Sequence, residues 1–401
     1  MKILISNVGS TSFKSKFIDM DAETTKASAA VERVGSEESR LKFQSIGKNP
    51  IEFIKPVPNH NQAIRMVLDL LVDQDVGCIS SLDEIDAIGF KTVHAGDFRG
   101  PAIINDEVIS IMEKFNEAAP SHNPPYLAAI RSFREILPDT PQVAAFETAF
   151  HANIPDYAYI YSVPYEWYEN YGIRRYGFHG SSLRYVSERV SLLVDQKIGH
   201  VRLVACHLGG SSSICAILNG ISIDTSMGFT PQAGVPMSTR CGDIDPFIFP
   251  YMMKATGLRK EDISDLLTKR GGLLGISGIS ADVRDLERAV EGGHQRALLA
   301  LKAYAYEVKK YIGAYAAALG GIDVLAFSGG IGENASEMRA RICSGLEFLG
   351  INIDLVENSH YSERERRISK EGAMVQVWII PTNEELIVAR ETARVMKTFN
   401  K

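Results

Sequence analysis

Two segments of the same kind, separated by half the chain length, constrain the fold more than any other feature of the sequence. They cover residues 3–18 and residues 201–218. In each segment a β-like apolar run leads into a small polar turn rich in glycine and serine, and a second β-like run follows the turn. We interpret these two strand–turn–strand segments as the trace of an internal duplication.

Length and composition are those of a globular protein with more than one domain. The chain has 401 residues, of which 45% are hydrophobic and 23% are charged. Because one compact domain commonly has about 100–200 residues, we expect two domains that share a cleft. The net charge of −6 disfavours a nucleic-acid partner, since phosphate contacts need clustered Lys and Arg. A local basic pocket for one small anion remains compatible with that total charge.

The sequence carries no signal for export or membrane insertion. The apolar run at residues 3–5 is too short for a signal peptide, and no segment reaches the ~20 apolar residues that a membrane-spanning helix needs. Five cysteines are scattered along the chain without a C-x-x-C pair, which is typical of reduced thiols and disfavours a structural zinc site. We therefore expect a soluble, cytoplasmic protein with no membrane partner.

Helical periodicity and glycine turns indicate how the domains are built. Helices are predicted for residues 63–72, 108–115, 296–319 and 336–345. A third glycine turn, at residues 328–334, follows a predicted strand at residues 323–327 and opens the last of these helices. We expect an N-terminal domain of residues 1–150 and a C-terminal nucleotide-binding domain of residues 151–384. The final helix, residues 385–401, is expected to return to the first domain.

The two serine-rich turns are suited to contacting phosphate. Small residues let the backbone approach phosphate oxygens, and hydroxyl and N–H groups can donate to them. Each turn alone is also explained as a tight hairpin. The presence of both turns at matched positions in the two halves favours the phosphate-clamp interpretation.

Five other segments carry histidines, cations or carboxylates, and four of the five contain a histidine. These segments are residues 89–97, 120–125, 146–151, 174–180 and 239–245. A single histidine is more often a hydrogen-bonded structural residue. Several histidines that converge with Lys and Arg are better suited to the transfer of an anionic group.

Residues 330–335 fit the pattern G-x-G-x-x-A, with Asp354 further along the chain. A dinucleotide-binding segment is one interpretation, although that motif usually opens a βαβ unit. A turn that only opens a helix is another. A nucleotide-contacting turn inside a kinase agrees best with the other clusters. The chain has no G-x-x-x-x-G-K-[ST] motif, which disfavours a P-loop enzyme.

Taken together, these segments resemble the acetate kinase family over nearly the whole chain. The matching segments are residues 122–125, 174–180, 224–231, 239–246, 328–334 and 381–385. The resemblance implies an α/β fold shared with actin, sugar kinases and the large heat-shock chaperones, with a duplicated mixed-sheet core and a cleft between two domains. It also implies a homodimer that uses ATP or ADP together with Mg²⁺ or Mn²⁺.

The resemblance also implies roles for individual residues. Asn7 and Glu384 match the metal site, and Ser10, Ser12 and Lys14 lie near the phosphates. The residues that match catalytic positions are Lys91, His122, Glu147, His179 and Arg240. The acid-binding positions are Lys91, Val93, Ser121, Phe178, Pro231 and Arg240. The nucleotide positions are Lys14, His207, Gly209, Gly210, Ser211, Asp282, Val283, Arg284, Gly330, Ile331, Gly332 and Asn334.

This family transfers a phosphoryl group from ATP to acetate, and we expect direct in-line transfer without a phosphoenzyme. The chain departs from the family's usual residues at Lys91, Ser121, Glu147, Gly210 and Ser211. Lysine at position 91 keeps the charge but loses the bidentate grip of an arginine. One hypothesis is that the departures compensate and acetate remains the substrate. The other is that the pocket takes propionate or another larger or more polar acid. An actin- or chaperone-like ATPase without metabolite chemistry is the alternative from another class.

Overall fold

The computed structural model describes residues 1–94, 96, 98–117, 119, 122–194 and 201–399. The chain divides into two compact units. Unit 1 contains Met1–Ala152 and Asn383–Lys401, and unit 2 contains Asn153–Thr382.

Unit 1 is built on a mixed sheet whose described strands follow the order β5-β4-β3-β2-β1-β6-β8-β7. The strands are β1 (Lys2–Gly9), β2 (Ser12–Asp19), β3 (Thr24–Glu32), β4 (Ser36–Ser45), β5 (Ile51–Val57), β6 (Ala87–Thr92), β7 (Ala102–Ile103) and β8 (Gln142–Phe146). β1 pairs antiparallel with β2 and parallel with β6, and β6 pairs parallel with β8. Ile3, Leu4 and Ile5 are buried because β1 lies inside the sheet.

The helices of unit 1 are α1 (His60–Val72), α2 (Asp106–Lys114), α3 (Asn123–Ile136) and α15 (Glu384–Phe399). Short 3₁₀ turns cover Leu82–Glu84 and Glu147–His151. α1 begins at Asn59, whose side chain accepts a hydrogen bond from the Gln62 amide, as is typical of a helix N-cap. α15 packs on β1, β6 and β8, so the last helix completes the core of unit 1.

Unit 2 contains a second mixed sheet, with its described strands in the order β11-β10-β9-β12-β14-β13. These strands are β9 (Arg202–Leu208), β10 (Ser212–Leu218), β11 (Ile221–Thr225), β12 (Val324–Ser328), β13 (Arg366–Arg367) and β14 (Gln376–Ile379). β9 pairs antiparallel with β10 and parallel with β12, and β12 pairs parallel with β14.

The helices of unit 2 are α4 (Asp156–Tyr159), α5 (Tyr165–Tyr171), α6 (Gly180–Leu193), α7 (Ile248–Thr256), α8 (Lys260–Lys269), α9 (Gly272–Ser277), α10 (Val283–Glu291), α11 (Gln295–Ala318), α12 (Gly329–Asn334), α13 (Ser336–Cys343) and α14 (Leu355–Ser359), with a 3₁₀ turn at Glu347–Leu349. α11 packs into the main apolar core of unit 2, to which Ala300, Tyr304 and Val308 contribute buried side chains. No helix in the described part of the chain is long and apolar enough to cross a membrane.

The two sheets share one topology. The order β3-β2-β1-β6-β8-β7 in unit 1 corresponds to β11-β10-β9-β12-β14-β13 in unit 2. Each successive pair has the same sense: antiparallel twice, parallel twice, then antiparallel. The internal duplication predicted from the two strand–turn–strand segments is therefore confirmed.

The glycine segment at residues 328–334 differs from the sequence prediction. It was expected to be a turn that opens the following helix, but Gly329–Asn334 is itself a short helix, α12, separated from α13 by Ala335. Gly329 has a φ of +76°, and a Cβ there would lie 2.7 Å from the Leu208 carbonyl oxygen. Glycine is therefore required where β12 enters α12.

Candidate functional site

A buried ion pair lies at the end of β6 in unit 1. Lys91, the next-to-last residue of β6, donates to the carboxylate of Glu384, the first residue of α15. The two side chains are only 18% and 15% exposed. Glu147 begins the 3₁₀ turn after β8, and its side chain is buried. Three predicted site residues from distant parts of the sequence are thus brought together.

The electrostatics of this cluster keep Lys91 charged. Burial alone would lower the pKa of Lys91, but the carboxylates of Glu384 and Glu147 outweigh it and raise that pKa above its ordinary value. The Lys91 ammonium is therefore held beside the Glu384 carboxylate at the end of β6.

Tyr126 belongs to the same cluster, although no sequence motif indicated it. Its side chain is buried, and its hydroxyl donates to Asn7 Oδ1 at 3.1 Å. Burial raises the pKa of Tyr126, and Lys91 opposes that shift only in part. The tyrosine therefore stays neutral and orients the Asn7 amide so that its oxygen faces the cluster.

The hairpin between β1 and β2 places Asn7 opposite Lys14 in register. Both residues line a small cavity of about 100 Å³ together with Lys16 and Glu385. Ser10 and Thr11 form the exposed turn, and Ser12 begins β2. Lys14 is exposed and is therefore available to an anion, whereas Lys16 lies 3.5 Å from Glu385.

Val93 and His122 stand at two neighbouring loops of unit 1. Val93 is buried just after β6, and His122 immediately precedes α3. The His122 side chain does not cap that helix. Ser121 lies outside the described residues, so the structure gives no account of its predicted role in acid binding.

His94, which follows Val93, is fully buried and stacks on Phe115, with ring centroids 4.3 Å apart. Its Nδ1 accepts from the Gly96 amide at 3.1 Å. Burial lowers the pKa of His94 to about 3. His94 is therefore neutral at pH 7 and has a structural role. It does not belong to the predicted set of catalytic residues.

This burial predicts a pH dependence of stability. The unfolded chain binds a proton at His94 below its ordinary pKa of about 6.5, whereas the folded chain does so only near pH 3. The free energy of unfolding is therefore unaffected by His94 above pH 6.5 and decreases as the pH falls toward 3. At pH 5 the decrease amounts to about 2 kcal/mol. Urea unfolding of the wild type and of His94→Gln at pH 7 and pH 5 tests this. An equal decrease in the free energy of unfolding between pH 7 and pH 5 in the two proteins would contradict this prediction.

In unit 2, Arg240 is a half-buried cation held by neutral groups. Its Nη1 donates to Ser211 Oγ at 3.0 Å and to the Pro231 carbonyl at 3.3 Å. Among the described residues no carboxylate forms an ion pair with it, and burial alone lowers its pKa. By contrast, Arg175 lies 3.7 Å from Asp224. An arginine whose charge is not balanced in this way is suited to an anionic ligand.

His179 and His207 lie together, with ring centroids 4.2 Å apart. His179 Nδ1 contacts Ser213 Oγ at 2.9 Å, and His207 Nδ1 contacts Ser182 Oγ at 2.8 Å. His179 has a φ of +58°, an uncommon conformation for a residue other than glycine. The β9–β10 hairpin and the start of α6 therefore fix both rings. Phe178, which is predicted to line the acid pocket, directly precedes His179 in the sequence and is buried.

A cavity of about 600 Å³ opens in unit 2. The lining residues are Gly209, Gly210, Ser238, Ala281, Asp282, Val283, Arg284, Glu287, Gly330, Ile331, Asn334 and Ala335. Its volume suits a nucleotide, its walls are largely apolar, and glycines from the β9–β10 turn and from α12 line it.

Most predicted nucleotide residues line this cavity, but four do not. Lys14 belongs to unit 1, His207 stacks on His179, Ser211 contacts Arg240, and Gly332 is buried in α12. Ser238, Ala281, Glu287 and Ala335 line it without having been predicted. Helical spacing offered a signal for Glu287, since it lies one turn after Val283 on α10.

The two residues predicted to hold the metal, Asn7 and Glu384, both belong to the unit 1 cluster. Asn7 and Glu384 supply the oxygen donors that a hard cation prefers. No group of three or more His, Cys, Asp or Glu side chains placed to hold a metal occurs among the described residues. Mg²⁺ commonly takes one or two protein ligands and completes its shell with water and phosphate. The residues present fit that pattern.

Two α/β units on a duplicated sheet, with a glycine-lined cavity and an arginine that no described carboxylate neutralises, are typical of an anion-handling protein of the phosphotransferase kind. The chain belongs to the acetokinase family, whose model matches residues 2–390. It is 50% identical to the acetate kinase of Dictyoglomus turgidum over 99% of this chain and 98% of that protein. It is 48% identical to the acetate kinase of Thermoanaerobacter pseudethanolicus over 99% of each.

Solved structures agree with this family. The crystal structure of Porphyromonas gingivalis acetate kinase superposes with a TM-score of 0.90 at 41% identity, covering 98% of this chain and 99% of that one. A propionate kinase from Francisella tularensis gives a TM-score of 0.90 at 36% identity with the same coverage. The α/β fold with a duplicated mixed-sheet core, predicted from the sequence, is confirmed.

Proposed function

We propose that this protein is an ATP-dependent carboxylate kinase that transfers a phosphoryl group reversibly between ATP and acetate, giving acetyl phosphate and ADP. Membership of the acetokinase family supports the reaction class. The observation that carries the proposal is Arg240, a half-buried cation that neutral groups hold and no described carboxylate neutralises. An anionic substrate supplies the missing charge.

The reaction needs charge neutralisation more than it needs a base. A small carboxylic acid has a pKa near 4 and is already ionised at neutral pH. A carboxylate oxygen forms a bond to the γ-phosphorus while the bond from that phosphorus to the bridging oxygen breaks, and the electron pair leaves with ADP. No proton has to move in this step.

The resemblance to the family supports a role for each of the remaining site residues. We assign Arg240, His179 and His122 to the charge on the transferring phosphoryl group. We assign Phe178, Pro231, Val93 and Ser121 to the acid. Lys91 also belongs to the acid side, where Glu384 and Glu147 hold its ammonium in place.

The cavity lined by Gly209, Gly210, Asp282 and Gly330 is assigned to the nucleotide. Mg²⁺ or Mn²⁺ is assigned to Asn7 and Glu384, and it supplies neutralisation of the phosphate charge when bound. The amide oxygen of Asn7 and the carboxylate of Glu384 are the kinds of oxygen donor that a hard cation prefers, which supports this placement. Direct in-line transfer follows, since the cluster needs no side-chain nucleophile.

A larger acid is the second candidate. The Francisella tularensis protein with a TM-score of 0.90 is described as a propionate kinase, which places propionate within reach of this fold. Lysine at position 91, where the family usually has arginine, is a change on the acid side of this chain. A pocket change of one methylene commonly shifts discrimination by about 1–3 kcal/mol.

The test is a hydroxamate assay with Mg-ATP and a panel of acids: acetate, propionate, butyrate, lactate and glycolate. We expect acetate to give the highest kcat/KM, because the charged groups of the family site are all present. A higher value for another acid would transfer the substrate assignment to that acid. ATP hydrolysis without any acyl phosphate would support the actin- or chaperone-like ATPase instead.

We further propose that the protein is a cytoplasmic homodimer. The resemblance to the family is the support for both statements, and analytical ultracentrifugation of the purified protein tests the dimer. A single monomeric species at micromolar concentration would contradict it.

A further inference from the structure

Asn123 is the first residue of α3 and is fully buried. Its side-chain nitrogen donates to the His94 carbonyl at 3.0 Å and to the Met112 carbonyl at 2.9 Å. Both amide hydrogens are therefore used, and each reaches a different segment. One acceptor lies in the loop after β6, and the other lies in the last turn of α2.

The other side-chain atom of Asn123 shows that the donors are what the fold requires. Asn123 Oδ1 is buried and accepts no hydrogen bond from any described residue. A buried polar atom without a partner is unfavourable, and an apolar side chain of this size would avoid it. The contribution of this amide to the fold therefore lies in its two N–H bonds, which hold two backbone segments.

Asn123 links two proposed site residues, one assigned to the acid and one assigned to the transferring phosphoryl group. Val93 precedes His94 in the loop after β6, and His122 precedes Asn123 itself. The loop has further fixed points: Phe115 stacks on His94, and a Cβ on Gly96 would lie 2.7 Å from the Phe115 ring. The backbone amides of His122 and Asn123 both donate to the Ala119 carbonyl at 3.0 Å.

We propose that Asn123 is a positioning residue that sets the spacing between Val93 and His122, and thereby the fit of the acid beside the transferring phosphoryl group. This inference rests on the proposed function, which places Val93 at the acid and His122 at the transferring phosphoryl group. The link is made through main-chain carbonyls, so it acts on backbone position and needs no contact between Asn123 and a substrate.

Two variants and one control test the inference. Asn123→Ala removes both donors, and Asn123→Asp keeps the shape but turns an oxygen toward the two carbonyls. Ser39→Ala is the matched control, because Ser39 is also buried in unit 1 and its hydroxyl donates to the Arg33 and Ser36 carbonyls at 2.7 and 2.9 Å. Ser39 lies on β4, a strand that carries no proposed site residue.

We expect Asn123→Ala to lower kcat/KM for the acid about 10- to 100-fold, since small misplacements of reacting groups cost rates of this order. Asn123→Asp should be lower still, and the KM for ATP should stay within about twofold in both. Ser39→Ala should lose thermal stability without a change in kcat/KM for the acid. An acid kcat/KM within twofold of the wild type in Asn123→Ala, or an equal change in the KM for ATP, overturns the inference.

Crystal structures of the wild type and Asn123→Ala separate this inference from the proposed function. We expect the His94 carbonyl and the His122 backbone to move apart by about 1 Å or more in the variant, whichever reaction the protein catalyses. Unchanged positions overturn the positioning role. A wild type that forms no acyl phosphate overturns the proposed function, and the structural comparison still decides the role of Asn123.

Discussion

The Arg240→Ala variant is expected to lose about 100- to 1,000-fold in kcat/KM for the acid, which is the range found when one preorganised donor to a developing charge is removed. Arg240 is held by Ser211 and the Pro231 carbonyl, and neither group carries a charge. Its removal therefore takes a cation from the site without leaving a buried anion behind. Most of the loss should appear in kcat/KM and little in the free energy of unfolding.

Two further variants make this result specific. Arg240→Lys keeps the charge but loses the planar pair of donors, so we expect an intermediate loss. Arg202→Ala is the control, because Arg202 belongs to the same unit and pairs with Asp323 at 2.6 Å in a purely structural setting. It should lower stability with near-normal turnover. Near-normal turnover in Arg240→Ala would refute the assignment of Arg240 to the reacting phosphoryl group.

Lys91→Ala should combine a large loss of activity with a large loss of stability. Lys91 and Glu384 form a pair that is more than four-fifths buried, and Glu147 adds a second carboxylate. Removing one partner of a buried pair costs about 3–5 kcal/mol, because the remaining charge is left uncompensated. We expect this loss in chemical denaturation, together with a fall in kcat/KM of about 100-fold or more.

The double variant Lys91→Met with Glu384→Gln separates the two effects. It removes both charges of the pair and should recover part of the unfolding free energy, while Glu147 keeps the recovery incomplete. Activity should not return, since the proposed metal ligand is also gone. Arg390→Ala is the control on the same helix: the Arg390–Glu23 pair is more than one-third exposed and should contribute less than about 1 kcal/mol. Full activity in the double variant would argue against both assignments.

Local features of the fold could be predicted because short-range chemistry determines them. The helix predicted at residues 63–72 is found as His60–Val72, and the one predicted at residues 296–319 is found as Gln295–Ala318. Their apolar spacing is set within the helix itself. The segment at residues 328–334 was predicted as a turn because its glycines have low helix propensity, but packing beside β9 and β12 makes it helical.

Recognisable motifs allowed candidate site residues to be predicted, whereas residues that join these clusters only through a tertiary contact were not predicted. The prediction placed Lys91, Glu147 and Glu384 in one site, and the structure brings them together. Tyr126 and Ser238 were missed because nothing in their own sequence neighbourhood indicates what they face. The stacking of the His207 ring on His179 was not predicted, because it depends on how α6 lies against β9.

The helix that supplies Glu384 follows unit 2 in the chain, although it completes the core of unit 1. During synthesis, which adds about 5–20 residues per second, the ribosome must therefore translate all of unit 2 before unit 1 can close. Unit 2 is a contiguous segment and can fold while unit 1 still waits for α15. The ion pair of Lys91 with Glu384 then forms among the last contacts. A chain that terminates early would retain the predicted nucleotide cavity but lack the carboxylate that balances Lys91.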